Sequence, residues 1–383
     1  MNTESSLLEI EHELGDLPII SPSEESLLPG GVEFLADVVP PYKDMAGQLR
    51  KITDGYQLAQ VFYTALELDL FSYLVDPITI PALCRRSQTD PTLTHLVAGV
   101  LVSCGILTRD QDLYSMHPEM IPFLLPDSPY YAHYLSYASV QRDSWQDLPE
   151  RLIRKKHIHR CLINSRDTPE SVRYTGRSAL LGRLQATMQF IRSMPEISKV
   201  RTILDLGGGH GLFSISCAQE FPDAHITMID HPDISQIAHA QIRYAGVEDR
   251  IRIVETDFRT HLLGGPYDLI LDLGAFGGDI DQTKTWFRKI GSSLTLGGLY
   301  VRSSFTIDDC ITGPQMTLLF EIEEIVSGRN NCHLTNTEVR TLLSDADMDL
   351  IHIEDLTHAT GVPVRVIGAR RKNYRETHDL HIS

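Results

Sequence analysis

Thr202-Ile-Leu-Asp-Leu-Gly-Gly-Gly-His-Gly211 is the stretch that decides the fold. Its first five residues are a short apolar run that suits a buried strand. The run ends in a glycine turn, and Phe213-Ser-Ile-Ser-Cys-Ala-Gln-Glu-Phe221 then carries the apolar spacing of a helix. The pattern is Asp205-x-Gly207-x-Gly209-x-Gly211. Glycines let a backbone turn sharply and approach a ligand where a Cβ would clash. The helix start behind them offers unbonded N–H groups to a polar or anionic ligand. Leu212 stands where a dinucleotide fingerprint wants its last glycine, so a nicotinamide dinucleotide is disfavoured. A tight turn with nothing lying against it is the alternative, but few folds need three spaced glycines for that.

Outward from this turn, apolar runs alternate with helical patterns. Strands are expected at 202–206, 225–230, 251–255, 268–273, 298–304, 349–354 and 363–369. This predicts an α/β fold, a Rossmann-like doubly wound sheet of seven strands that is parallel with an antiparallel finish. Ligands of such sheets bind at the carboxyl ends of the strands. The second strand ends in Asp230, followed by His231 and Pro232; an acid there can accept both hydroxyls of a ribose. The third ends in Glu255-Thr-Asp257-Phe258, where a carboxylate can take an adenine amino group and an aromatic can cover the ring. The fourth ends at Asp272-Leu273. Each acid alone reads as a cap or loop residue. At the ends of consecutive strands they define a nucleoside-shaped site that comprises Asp205, Gly207, Gly209, Gly211, Asp230, His231, Asp257, Phe258 and Leu273.

The rest of the chain sets the frame. Its 383 residues suffice for two domains, and a formal net charge of −17 argues against nucleic acid or an anionic membrane as partner. Six scattered cysteines without a CxxC pair read as small core residues in a reducing compartment. His157-x-His159-x-Cys161 has metal-binding residue types, but it lies in a basic stretch that reads as a solvated linker; no metal is predicted. With no signal peptide or long apolar run, the chain reads as cytoplasmic. Residues 1–45 are acidic and rich in turn formers, a flexible arm. Residues 46–165 read as a helical, winged-helix-like domain. Its helices are expected from Ile52, over Pro81–Ser87 and Pro91–Cys104, and over 130–153; a hairpin is expected from Gly105 to Met116. Residues 166–372 form the sheet domain, and 373–383 are a polar tail.

The Asp-x-Gly-x-Gly-x-Gly turn resembles the S-adenosylmethionine (SAM) site of class I methyltransferases. With Asp230, Asp257 and Phe258, the chain from about residue 50 to 372 resembles the SAM-dependent O-methyltransferases of the caffeic acid and acetylserotonin type, including their bacterial small-molecule relatives. Ile52-Thr-Asp-Gly-Tyr-Gln-Leu-Ala-Gln60 and Ala65-Leu-Glu-Leu-Asp-Leu-Phe71 are similar to that family's dimerisation domain, and Trp145-x-x-Leu148-x-Glu150 to its last helix before the linker. Gly297-Gly298 before a strand and a helix over Thr335–Leu343 fit as well. The resemblance implies SAM as cofactor, a small-molecule acceptor in cofactor, pigment or natural-product biosynthesis, and an intertwined homodimer.

One departure matters. In the family a His-Asp pair follows the fourth strand, and its His is the general base. In Asp268-Leu-Ile-Leu-Asp-Leu-Gly-Ala-Phe-Gly-Gly-Asp279, Gly277 and Gly278 occupy those positions, and glycine moves no proton. A histidine elsewhere is the natural replacement. His333, in Asn330-Asn-Cys-His-Leu-Thr335, falls near the family's catalytic Glu and is the first candidate. His133, in Tyr130-Tyr-Ala-His-Tyr134, is the second. Glu324, beside Glu323 on the preceding helix, is the third. Each has a plainer reading, as a loop histidine, an aromatic helix surface and a solvated helix face respectively. The rival functions are a SAM-binding enzyme that transfers no methyl (pericyclase, decarboxylase or hydroxylase-like) and a non-catalytic dimeric subunit.

Overall fold

A computed structural model describes residues 43–128, 130–132, 135, 145–146, 148–154, 168–275, 278–326 and 333–373. The chain divides into two compact units, residues 1–62 and 63–383. The described part of the first is the opening of a long helix, Lys43–Glu67. That helix begins inside the stretch expected to be an arm. The reason is its periodicity: Met45 and Leu49 prolong, at helical spacing, the apolar stripe continued by Ile52 and Tyr56. All four side chains stand exposed.

In the second unit, helices Ile80–Ser87 and Pro91–Ser103 each carry a proline in the first turn, where a missing N–H costs nothing. Asp90 caps the latter by accepting the Leu93 N–H at 2.8 Å. Strands β1 (Ile78–Thr79), β2 (Leu107–Asp110) and β3 (Leu113–Met116) form a small antiparallel sheet in the order β1-β3-β2. The hairpin and both helices match the sequence reading; β1, two residues long, carries too little pattern to be read. Of the helix expected over 130–153, the described residues show helix at 145–146 and over Leu148–Arg154, and most of the stretch before them lies outside the described residues. Tyr130, Tyr131 and Ala132 are not helical. There Ala132 gives its N–H to the Phe123 carbonyl, an irregular contact that replaces a helical one.

The large sheet contains β4 (Thr202–Leu206), β5 (His225–Asp230), β6 (Ile251–Glu255), β7 (Tyr267–Asp272), β8 (Leu294–Phe305), β9 (Met348–Asp355) and β10 (Val364–Arg371). Their order is β6-β5-β4-β7-β8-β10-β9. The first five run parallel, and β10 pairs antiparallel with both β8 and β9. Alternate residues of each strand feed two cores. Ile203, Met228, Leu271 and Val301 pack with Phe190, Ile215 and Ile242 from helices Leu184–Ser193, Leu212–Glu220 and Pro232–Ala245. Leu204, Ile229, Ile270 and Tyr300 pack with Trp286, Phe287 and Leu342 from helices Ile280–Ser293 and Asn336–Asp345. Burial on both faces explains why these strands read as near-continuous apolar runs. β4 lies mid-sheet, so the glycine turn opens at the centre of the carboxyl edge.

Candidate active site

β4 ends in the turn at Gly207. Its φ is +58°, and a Cβ built there would lie 2.6 Å from the Ala275 Cβ and 3.4 Å from the Phe258 ring. Glycine is therefore needed both for the backbone conformation and for the close approach of the loop after β7. Gly209, at φ +52°, gives its N–H to Asp230 Oδ2 at 2.7 Å, and a Cβ there would touch Val172. The His231 N–H bonds Asp230 Oδ1, also at 2.7 Å. Two backbone donors thus aim the buried Asp230 carboxylate at the turn from the end of the neighbouring strand. A carboxylate accepts about four hydrogen bonds, so the group is fixed yet able to take ribose hydroxyls.

Phe258 closes the opposite side. Its ring lies 5.6 Å from that of Trp286, and the Lys289 ammonium holds the Phe258 carbonyl at 2.7 Å. A bare glycine backbone, an aimed carboxylate and an aromatic face are the donor set that an adenosyl group requires, and these residues fit it. Asp257 is turned to Arg259, bonding its N–H at 2.9 Å and its Nε at 3.0 Å. The His231 ring points to solvent near Asp233, and Leu273 packs on the core.

Asp205 lies beneath the turn. Its carboxylate is buried and accepts the Ser214 hydroxyl at 2.6 Å, pinning strand to helix. Burial raises its pKa to about 7; the Ser214 hydrogen bond opposes the rise and the Asp230 charge adds to it. His210 was not singled out from sequence. Its ring packs under Gly176, where any Cβ would lie 2.9 Å from its own, and Nδ1 accepts the Leu212 N–H at 3.1 Å. Burial, and then the nearby Arg183 cation, lower it to about 3, so it stays neutral and serves the turn's shape.

The loop after β7 is tied down by Asp272. Its Oδ2 accepts from Arg302 Nη1 at 2.5 Å, Tyr300 hydroxyl at 2.9 Å and Trp286 Nε1 at 3.2 Å, all buried. Its Oδ1 accepts the Ala275 N–H at 3.3 Å. Burial works against the Arg302 charge, but the Asp272 carboxylate outweighs it and holds the guanidinium firmly protonated. Gly277 lies outside the described residues, as does His133.

A second cluster stands at the carboxyl end of β8. Phe305 closes that strand, and its ring lies 4.9 Å from Phe320 on helix Gln315–Val326. The His333 ring stands edgewise to both, at 5.9 Å and 5.4 Å. Its Nδ1 is hydrogen-bonded to Glu321. The chain around His333 is fixed by the Ile307 N–H on the Leu334 carbonyl at 3.2 Å and by a capping box between Thr335 and Glu338. Phe305, Phe320, Glu321 and His333 are all half-buried and so still reachable. Glu324 is fully buried. Glu321, one turn earlier, was missed because α-helical spacing alone does not say which face meets a distant loop. β8 lies two strands from β4, a separation of about 10 Å at ordinary strand spacing.

Residues 164–345 match the model of the O-methyltransferase domain. Mouse (Mus musculus) acetylserotonin O-methyltransferase is 24% identical over 327 residues, covering 80% of this chain and 84% of its own. The 3-hydroxy-5-methyl-1-naphthoate 3-O-methyltransferase of Streptomyces sahachiroi is 25% identical over 324 residues, covering 80% and 90%. The structure of human N-acetylserotonin methyltransferase in complex with SAM superposes with a TM-score of 0.64 at 21% identity, over 88% of this chain and 100% of that one. The protein is thus a methyltransferase of class I fold. Its residues 164–345 carry an O-methyltransferase domain, and the human structure with the same fold holds SAM, the methyl donor.

Proposed function

We propose that the protein methylates a small molecule of natural-product, pigment or cofactor biosynthesis, with His333 as the general base in place of the family's missing His-Asp pair. The observation that carries this reading is the placement of His333: half-buried, bonded to Glu321, edgewise beside two phenyl rings, at the same edge of the sheet as the glycine turn. Gly207 and Gly209 leave room for the cofactor, Asp230 takes its ribose, and Phe258 covers its adenine. When bound, SAM supplies an electrophilic methyl. Phe305 and Phe320 offer an aromatic apolar wall to an acceptor, and the relatives' names speak of acetylserotonin and a hydroxynaphthoate. His333 removes the acceptor's proton as its electron pair attacks. The reading is tested by incubating the protein with SAM and a panel of hydroxylated indoles and naphthoates and measuring S-adenosylhomocysteine. Wild type should form it, and the His333→Ala variant should not.

A second reading, SAM-dependent chemistry without methyl transfer, is favoured by Gly277-Gly278 alone. Conversion of an acceptor without S-adenosylhomocysteine would favour it. We also infer a homodimer formed through residues before about 160, supported by the exposed Met45, Leu49, Ile52 and Tyr56 stripe.

A further inference from the structure

We propose that Glu321 is the positioning residue for His333, fixing its tautomer so that Nε2 is the atom that accepts the proton; this rests on the reading of His333 as base. The contact runs from His333 Nδ1 to Glu321 Oε2, and the same oxygen lies 3.4 Å from the His333 backbone nitrogen. An ionised carboxylate only accepts hydrogen bonds, so Nδ1 must carry the hydrogen and Nε2 the lone pair. A free neutral histidine side chain in water prefers its hydrogen on Nε2, so without Glu321 the ring would mostly present the wrong atom. Phe305 and Phe320 meet the ring edgewise, with interplanar angles of 75° and 67°, and limit its rotation about the Glu321 bond.

The step balances in atoms and charge. The acceptor's heteroatom–hydrogen bond breaks and its proton joins Nε2. The heteroatom's electron pair forms a bond to the methyl carbon, and the carbon–sulfur pair returns to sulfur. The resulting His333 cation lies against the Glu321 anion, which stabilises the charge that appears only during reaction. The proton then leaves to solvent through the 13% of the His333 side chain that stays exposed.

Two measurements on the whole protein test this, and neither needs the acceptor. The first is ¹⁵N NMR of histidine-labelled protein, with the His333 signals assigned by their loss in H333A. Wild type and E321Q should show hydrogen on Nδ1 and a bare Nε2, because a Gln side-chain oxygen still accepts. E321A should revert toward hydrogen on Nε2. The second is the rate at which diethyl pyrocarbonate modifies His333, read by mass spectrometry. It should fall about tenfold in E321Q, which keeps the bond and the packing but loses the charge. A purely structural clasp would leave that rate unmoved. Hydrogen on Nε2 in wild type, or equal modification rates in wild type and E321Q, overturns the proposal. Full methyl transfer by H333A overturns instead the base reading on which it stands, whatever the tautomer.

Discussion

Asp230 receives two backbone N–H groups and presents its carboxylate to the glycine turn. Removing it deletes charge-assisted hydrogen bonds to a ribose, worth roughly 1.5–3 kcal/mol. Asp230→Ala should weaken SAM binding by that amount in calorimetry. His333 stands by the end of β8, two strands from the turn after β4, so the two residues should separate cleanly. His333→Ala should lower turnover by ~10²–10⁴, the usual contribution of a positioned acid or base, with SAM affinity unchanged. Restoring a histidine at position 277 should not rescue it, because on this reading the two glycines at 277–278 leave room for the acceptor. Asp230 was legible because it ends a strand, a local property of the sequence. The Glu321–His333 contact was not, since it joins a helix to a loop twelve residues on.

At the scale of the element, the β4–turn–helix unit stores a titratable group. Asp205 in the folded protein holds its proton up to about pH 7, whereas an ordinary aspartate releases it near 3.8. Between those values the folded state binds the proton and the unfolded state does not. The stability contributed by the protonated group is therefore full below about pH 4 and is lost as pH rises toward 7. Asp205→Asn keeps an acceptor for Ser214 and abolishes the titration. The melting temperature of wild type relative to this variant should fall between pH 4 and 7, by the equivalent of a few (~2–4) kcal/mol, and be flat above. A constant difference across that range would show that the carboxylate titrates normally. The same unit shows how far local pattern reaches. The strand, glycines and helix were all readable at 202–221, but Val172 over Gly209 and Gly176 over His210 were not. Both come from helix Pro169–Ser178, and nothing in its own spacing names what it covers.

For the whole molecule, the long first helix is the feature on which the proposed dimer rests. Exposed Met45, Leu49, Ile52 and Tyr56 make an apolar stripe that water disfavours. Leu49→Asp together with Ile52→Asp should turn a dimer into a monomer in light scattering at micromolar concentration, while leaving the melting of the sheet domain nearly unchanged. A wild-type protein that is already monomeric would refute the dimer. No helix among the described residues is long and apolar enough to cross a membrane.

Sequence alone determined the seven strands, their parallel run with an antiparallel finish, and the glycine turn with the acids that follow it. These are properties of neighbours in the chain: hydrophobic period, turn chemistry and the polarity of strand ends. The resemblance read from the sequence also sets Gly277 and Gly278 against that family's His-Asp pair. Tertiary structure decided that His333 meets Glu321 of the preceding helix. It decided that Asp257 turns to Arg259, that Asp205 lies buried under Ser214, and that Asp272 is locked to Arg302. Each of these depends on which side chain arrives from a distant segment and how much water it excludes. A linear pattern contains neither distance nor dielectric, and the chemistry of an active site is made of both.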